Sequence, residues 1–304
     1  MKVTTPPATD ELFGLLAGDL AKFQLFSQEA ETDWLLDLAH NICDPRHRSG
    51  TLKMRLTPSH PWQSTVAGQI LTAADYLYDT MTVTLGLMRI NRRKNKSRRR
   101  NSESASGAPG SMQAAVIARD TRCWISQSSG RLVNSHIIPT RMGDALATRI
   151  LEDFSFSPAK VNFATQVSVF DPRLGLTLSR NNNALFAFYS LGFRARATNA
   201  HDYTVHVFDD PSTGNVYVTS GDCVKMPTDQ PLLHNTLASP PDPTAHNLPY
   251  RAALAWHYTQ CVVEKFGHYD YKTLSNIVAP CGRPVRPLPN EDEDRDSDPD
   301  DEPN

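Results

Sequence analysis

Across residues 1–90 apolar side chains recur three and four positions apart. Phe13, Leu16, Leu20 and Phe23 form one such stripe behind Asp10, and Leu35, Leu38 and Ile42 form another behind Thr32. This spacing predicts two amphipathic helices, with Asp10 and Thr32 as N-caps and Asp44-Pro45 as the stop of the second. A third helix is expected from about Ser64, carrying Val66, Ile70, Ala73, Leu77, Met81 and Met88 on one side. The expectation is an N-terminal helical subdomain over 1–90, without chemistry of its own, whose helices pack on the part of the chain that follows or on a protein partner.

Beyond residue 115 the pattern changes. Short apolar runs at 132–138, 174–178, 193–197, 203–208 and 216–219 read as strands, the last two joined by the turn-forming loop 209–215. Helical spacing returns at 143–154 and 250–266, and 225–249 is Pro-rich and irregular. Residues 115–280 are therefore expected to form an α+β domain.

The segment between these parts changes the picture through its charge. From Asn91 to Ser111 no residue is both larger and more apolar than Ala or Pro. Such a chain cannot bury enough apolar surface to offset its ordering entropy, so 91–114 is expected to be a disordered linker. Arg92, Arg93, Lys94, Lys96, Arg98, Arg99 and Arg100 place seven cations within nine residues. That density reads as a nuclear-import or nucleic-acid-contacting run, with a solvated linker as the plainer alternative. Residues 281–304 are expected to be a disordered acidic tail. Because the charges are segregated, the net charge of −2 says little about partners.

The five cysteines, Cys43, Cys123, Cys223, Cys261 and Cys281, include no C-x-x-C pair, which argues against a zinc ribbon. An odd count fits a reducing compartment. Met1 to Pro7 lacks the apolar run of a signal peptide, and Val66 to Ile90 is interrupted by Gln69, Asp75 and Asp79, so no membrane span is expected. The expected location is intracellular, nuclear rather than cytoplasmic.

Candidate chemistry gathers between Arg119 and Arg194. The segment Arg119-Asp120-Thr121-Arg122-Cys123-Trp124-Ile125 precedes Asn134-Ser135-His136-Ile137-Ile138-Pro139. Asp171-Pro172-Arg173-Leu174-Gly175-Leu176-Thr177-Leu178 follows, and then Asn181-Asn182-Asn183-Ala184-Leu185-Phe186. This succession resembles the ββα-metal core of the HNH endonucleases, more closely the fungal HNH-domain proteins, in which a Cys-containing segment leads to a Ser-His-Ile-x-Pro signature. Leu254 to Val262 resembles the closing helix of the same family, so the likeness covers roughly 116–266.

The resemblance implies metal-dependent hydrolysis of phosphodiester bonds in nucleic acid, DNA in preference to RNA. His136 takes the place of the general base. Asn183, together with Ser135 beside the base, takes the place of the ligands to a single Mg²⁺ or Mn²⁺ ion, with Asp171 the nearest carboxylate that would substitute. Arg173 and Arg180 flank the motif as candidates for phosphate oxygens. Three positions depart from the family pattern. Leu174 stands where an Asn braces the loop, Asn183 where the helix carries His, and Ser135 where an acidic residue is common. A neutral amide is a weak ligand, so the expected ion is weakly bound or none. Two functions stay open: a nuclease, favoured by His136, and a catalytically degenerate HNH-fold module that binds nucleic acid or protein, favoured by Leu174 and Ser135. Asn181 to Asn183 also read as a helix N-cap cluster.

Overall fold

A computed structural model describes residues 2–5, 13–27, 31–79, 109–155, 163, 165–196, 201–208 and 234–267. The basic run 92–100, the apolar stripe beyond 79, the loop and strand expected at 209–219 and the acidic tail 281–304 lie outside the described residues. The protein is an α+β molecule of helices and small, mainly antiparallel sheets.

The N-terminal part is not all helical. Strands β1 (Lys2–Thr5), β2 (Phe13–Ala17), β3 (Thr51–Arg55), β4 (Gln63–Ser64) and β5 (Asp75–Asp79) form one sheet in the order β2-β1-β5-β3-β4. Helices α1 (Leu20–Ser27) and α2 (Glu31–Cys43) share its core. The first expected stripe is split, since Phe13 and Leu16 belong to β2 while Leu20 and Phe23 belong to α1. The second helix forms as expected, with Trp34, Leu35, Leu38 and Ile42 buried. Thr32 does not cap it, because its hydroxyl donates to Val66 O at 2.8 Å.

No helix forms from Ser64 to Asp79. Val66 and Ile70, which suggested one, are 68% and 64% exposed. The alternation Asp75-Tyr76-Leu77-Tyr78-Asp79 decides the matter, because it sinks both tyrosines into the core from a strand held between β1 and β3. Side chains of the helices then fix the irregular segment before β5: Gln24 Nε2 donates to Leu71 O, and Glu31 accepts from Leu71 N.

The second part runs α3 (Pro109–Asp120), β6 (Leu132–His136), α4 (Gly143–Asp153), β7 (Gly175–Ser179), α5 (Arg180–Ala187), β8 (Leu191–Ala195), β9 (Tyr203–Val207), β10 (Thr236–Ala238) and α6 (Arg251–Phe266). β6 and β7 make a two-stranded antiparallel ladder, and β10-β9-β8 a three-stranded antiparallel sheet. The expected strands and helices here lie within two residues of those observed. α3 and β10 are the exceptions: α3 starts inside the stretch read as linker, and β10 pairs with β9 from within 225–249, the stretch read as irregular. Pro109 suits a first helical position, and Met112 and Val116, one turn apart, are buried in the same core as Leu174 and Leu176. Tertiary burial orders what composition alone does not.

α6 joins the two parts. Ala253, Leu254 and Trp256 belong to the core around β6 and β7, while Tyr258, Cys261, Val262 and Phe266 belong to the core around α1, α2 and the five-stranded sheet. A helix apolar on most sides is one that the rest of the fold encloses. The N-terminal part is thus built onto the same helix as the candidate site.

Candidate functional site

The site is organised by the β6–β7 register. Leu132 faces Ser179, Asn134 faces Thr177, Ser135 faces Leu176 and His136 faces Gly175. Successive side chains of a strand point to opposite faces, so Asn134 and His136 share one face of the ladder and Ser135 takes the other. α5 starts directly after β7 and packs on the face of Ser135. There the Ser135 hydroxyl donates to Asn183 Oδ1 at 2.8 Å. The structure therefore brings together Ser135 and Asn183. It also removes the capping reading of Asn183, which is the fourth residue of α5 and whose amide oxygen is turned to β6. Ser179 holds the N-cap position, with no side-chain cap bond.

His136 ends β6. Its ring meets Phe170 edge to face at 6.3 Å, and its Nε2 is buried with no hydrogen-bond partner among the described residues. Burial lowers the imidazole pKa below its ordinary value, so the ring is neutral at neutral pH. On the same face, Asn134 Oδ1 is also buried and has no hydrogen-bond partner among the described residues. It lies so close to the opposite strand that a Cβ at Gly175 would come within 2.5 Å of it, and within 2.8 Å of Met112 Cε. Any larger residue at 175 would have to displace the Asn134 and Met112 side chains that close over the start of β7.

Asp171 and Arg173 serve each other. The Asp171 carboxylate accepts from Arg173 N at 2.8 Å, Arg173 Nε at 3.0 Å and Arg173 Nη2 at 2.7 Å, and caps the turn Pro172–Leu174. The Arg173 guanidinium stands 4.6 Å over the Tyr250 ring. Its pKa is raised by the Asp171 hydrogen bonds. The carboxylate is thereby neutralised by its own neighbour. Arg180, at the first position of α5, is exposed. Leu174 is completely buried in the apolar core, a place where an amide would be costly. Cys123 is buried and accepts weak bonds from Ser126 N at 3.5 Å and Asn182 Nδ2 at 3.7 Å, so it ties its loop to α5.

Two oxygens 2.8 Å apart make a hydrogen bond, as they do here. Octahedral Mg²⁺ at 2.0–2.1 Å from its ligands separates neighbouring oxygens by about 2.9 Å, so the Ser135–Asn183 pair also fits one edge of such an ion. Both oxygens are neutral, and among the described residues no three His, Cys, Asp or Glu side chains lie close enough to share a metal.

The main omission from the sequence reading is the pair Arg119–Asp120. It is buried, with side chains 2% and 1% exposed, beneath the loop that leads into β7. Charged neighbours at the end of a helical stripe look solvated in sequence, and no local signal reveals that two chain segments close over them. No family model matches the chain, and neither a curated protein nor a solved structure does.

Proposed function

We propose that the chain carries an HNH-type centre that hydrolyses phosphodiester bonds in DNA, with His136 as general base. The observation that supports this reading is the meeting of Ser135 and Asn183 across β6 and α5, next in chain to His136, whose ring lies on the other face of the ladder and whose Nε2 has no hydrogen-bond partner among the described residues. A neutral imidazole takes a proton from water as the water oxygen bonds to phosphorus, and the P–O bond to the leaving oxygen breaks. A divalent ion on Ser135 and Asn183 would supply stabilisation of the departing oxyanion. Arg180 is free of Asp171 and is the better folded candidate for phosphate contact; Arg173 shapes the loop. The cationic run Arg92 to Arg100 would add sequence-independent affinity and direct the protein to the nucleus. Seven phosphate contacts would give a log–log salt slope of roughly −6 on duplex DNA.

The experiment is cleavage of plasmid and single-stranded DNA by the full chain with Mg²⁺ or Mn²⁺. His136→Ala is expected to lose about 10²–10⁴ in rate while keeping DNA affinity. Equal rates for mutant and wild type would place the activity elsewhere. A second reading is a binding module on the same scaffold without catalysis. It is favoured by the Ser135–Asn183 bond and the Asp171–Arg173 pair, which engage each candidate ligand with a protein partner. DNA affinity without cleavage by the wild type would select it.

A further inference from the structure

In the family that the sequence resembles, position 174 carries the side chain that braces the loop before the second strand. Leu174 has no polar side-chain atom with which to do so and is completely buried in the apolar core. Yet the loop is held. We infer that Arg119, at the end of α3, is the residue that positions this loop and through it the backbone facing His136.

Arg119 has five N–H groups, and each has an acceptor. Nε donates to Asp120 Oδ1 at 2.7 Å and Nη2 to Asp120 Oδ2 at 2.9 Å. Nη1 donates to Pro172 O at 3.0 Å and to Asn247 O at 2.7 Å, and Nη2 also donates to Gly175 O at 2.8 Å. Asp120 accepts in addition from Thr177 N at 2.8 Å. One buried ion pair thus grips the loop at Pro172, Gly175 and Thr177. Gly175 is the residue opposite His136 in the ladder, and Ile137 N, next in chain after His136, donates to Leu174 O at 2.9 Å.

The planar guanidinium fork is what lets one side chain reach three carbonyls and a carboxylate together; an ammonium at the same site is a single point of donors. Asn247 precedes α6, so the same fork also ties the loop to the helix shared by both cores. Arg119 is a positioning residue and touches no reacting atom. Only the kinetic consequence rests on the nuclease reading.

The test is Arg119→Lys in the full chain, which keeps the positive charge beside Asp120 and loses the fork. Amide exchange at Ile137 and Thr177 is expected to quicken by about tenfold or more, with the amides of β8 and β9 unchanged. Cleavage is expected to fall by about 10²-fold in kcat with KM unchanged, since displacement of the base by an ångström has that cost. Wild-type protection at Ile137 and Thr177, or an equal loss of protection in β8 and β9, would overturn the assignment. So would a raised KM with unaltered kcat, which would place Arg119 in substrate binding. If the wild type cleaves no DNA, the nuclease reading fails and the exchange measurement alone decides Arg119. Should the variant not fold, the wild type still answers by nitrogen NMR. A clamped Arg119 gives separate, slowly exchanging Nη signals, and a single averaged line would refute the clamp.

Discussion

Between α2, β9 and α6, buried polar groups close on one another. Trp34 Nε1–H donates to Tyr258 Oη at 2.9 Å, and the same hydroxyl is hydrogen-bonded to His206 Nδ1 at 2.7 Å. His206 stacks 4.8 Å from His234, whose Nε2 reaches Leu25 O at 2.9 Å. Burial, with His234 and Arg194 nearby, holds the His206 pKa well below its ordinary value. At the end of β6, among the described residues, His136 Nε2 and Asn134 Oδ1 are buried without a bond, as His206 Nε2 is, but the His136 residue is only partly buried where His206 is fully enclosed. Both regions place a histidine in a five-residue strand. In one the ring is fully enclosed and its Nδ1 is tied to a neighbouring hydroxyl, which makes it a structural pin. In the other the ring stands half-buried at a strand end. An unbonded Nε2 occurs in both, so enclosure and position in the strand separate them better than an unclaimed nitrogen does.

Exchanging the two treatments gives the largest contrast. His136→Ala is expected to abolish most cleavage, by about 10²–10⁴, with little change in the urea midpoint. His206→Ala should do the opposite. It takes from the Tyr258 hydroxyl one of its two partners and opens a cavity, for a loss of about 2–4 kcal/mol in urea unfolding with cleavage per folded molecule intact. A catalytic defect in His206→Ala at full folding would erase the distinction.

Tyr258→Phe tests the pin by one atom. Trp34 Nε1–H loses its acceptor and His206 Nδ1 its hydroxyl partner, so about 1–3 kcal/mol should be lost. A stability equal to wild type would mean that water replaces the hydroxyl.

The titration of the enclosed histidines has a definite sign. Burial pushes His40 down to about 4 and His257 down to about 3. In the unfolded chain both titrate near ~6.5. Below that pH the unfolded state binds protons that the folded state refuses, so stability falls as pH falls. The slope is about 1.4 kcal/mol per pH unit for each histidine, continuing to about 4 for His40 and about 3 for His257. Above pH ~7 these groups contribute no slope. Urea midpoints at pH 7.5, 6 and 5 measure this, and equal midpoints at 6 and 5 would contradict it.

The smallest expected effect separates ligand from bystander. If Asn183 faces an ion, Asn183→His should tighten Mn²⁺ binding by about tenfold in calorimetry. Unchanged affinity would leave the Ser135–Asn183 contact as a hydrogen bond between β6 and α5 and nothing more.

Much of the second part was legible in the residues. The strands at 132–136, 175–179, 191–195 and 203–207 and the helices at 143–153 and 251–266 lie close to where apolar spacing places them. The meeting of Ser135 and Asn183 was legible only through the family resemblance, because the residues stand 48 positions apart. The N-terminal part was misjudged at Val66 and Ile70, whose helical spacing carries no information once both side chains face solvent. Asp75 to Asp79 was readable by its alternation, but a five-residue strand inside a longer apolar stripe satisfies both periods at once.

By itself the sequence determined the local periods, the segregation of charge and the order of the motif residues, since each depends on neighbours a few positions apart. Only the tertiary structure decided that α6 is shared by both cores, that α3 is ordered from Pro109, that Asp171 spends its charge on Arg173, and that Arg119 and Asp120 are buried. Each of these turns on which distant carbonyls and apolar faces close around a side chain. A charged pair reads as solvated until Pro172, Gly175 and Asn247 are brought over it, and that enclosure is a property of the packed chain.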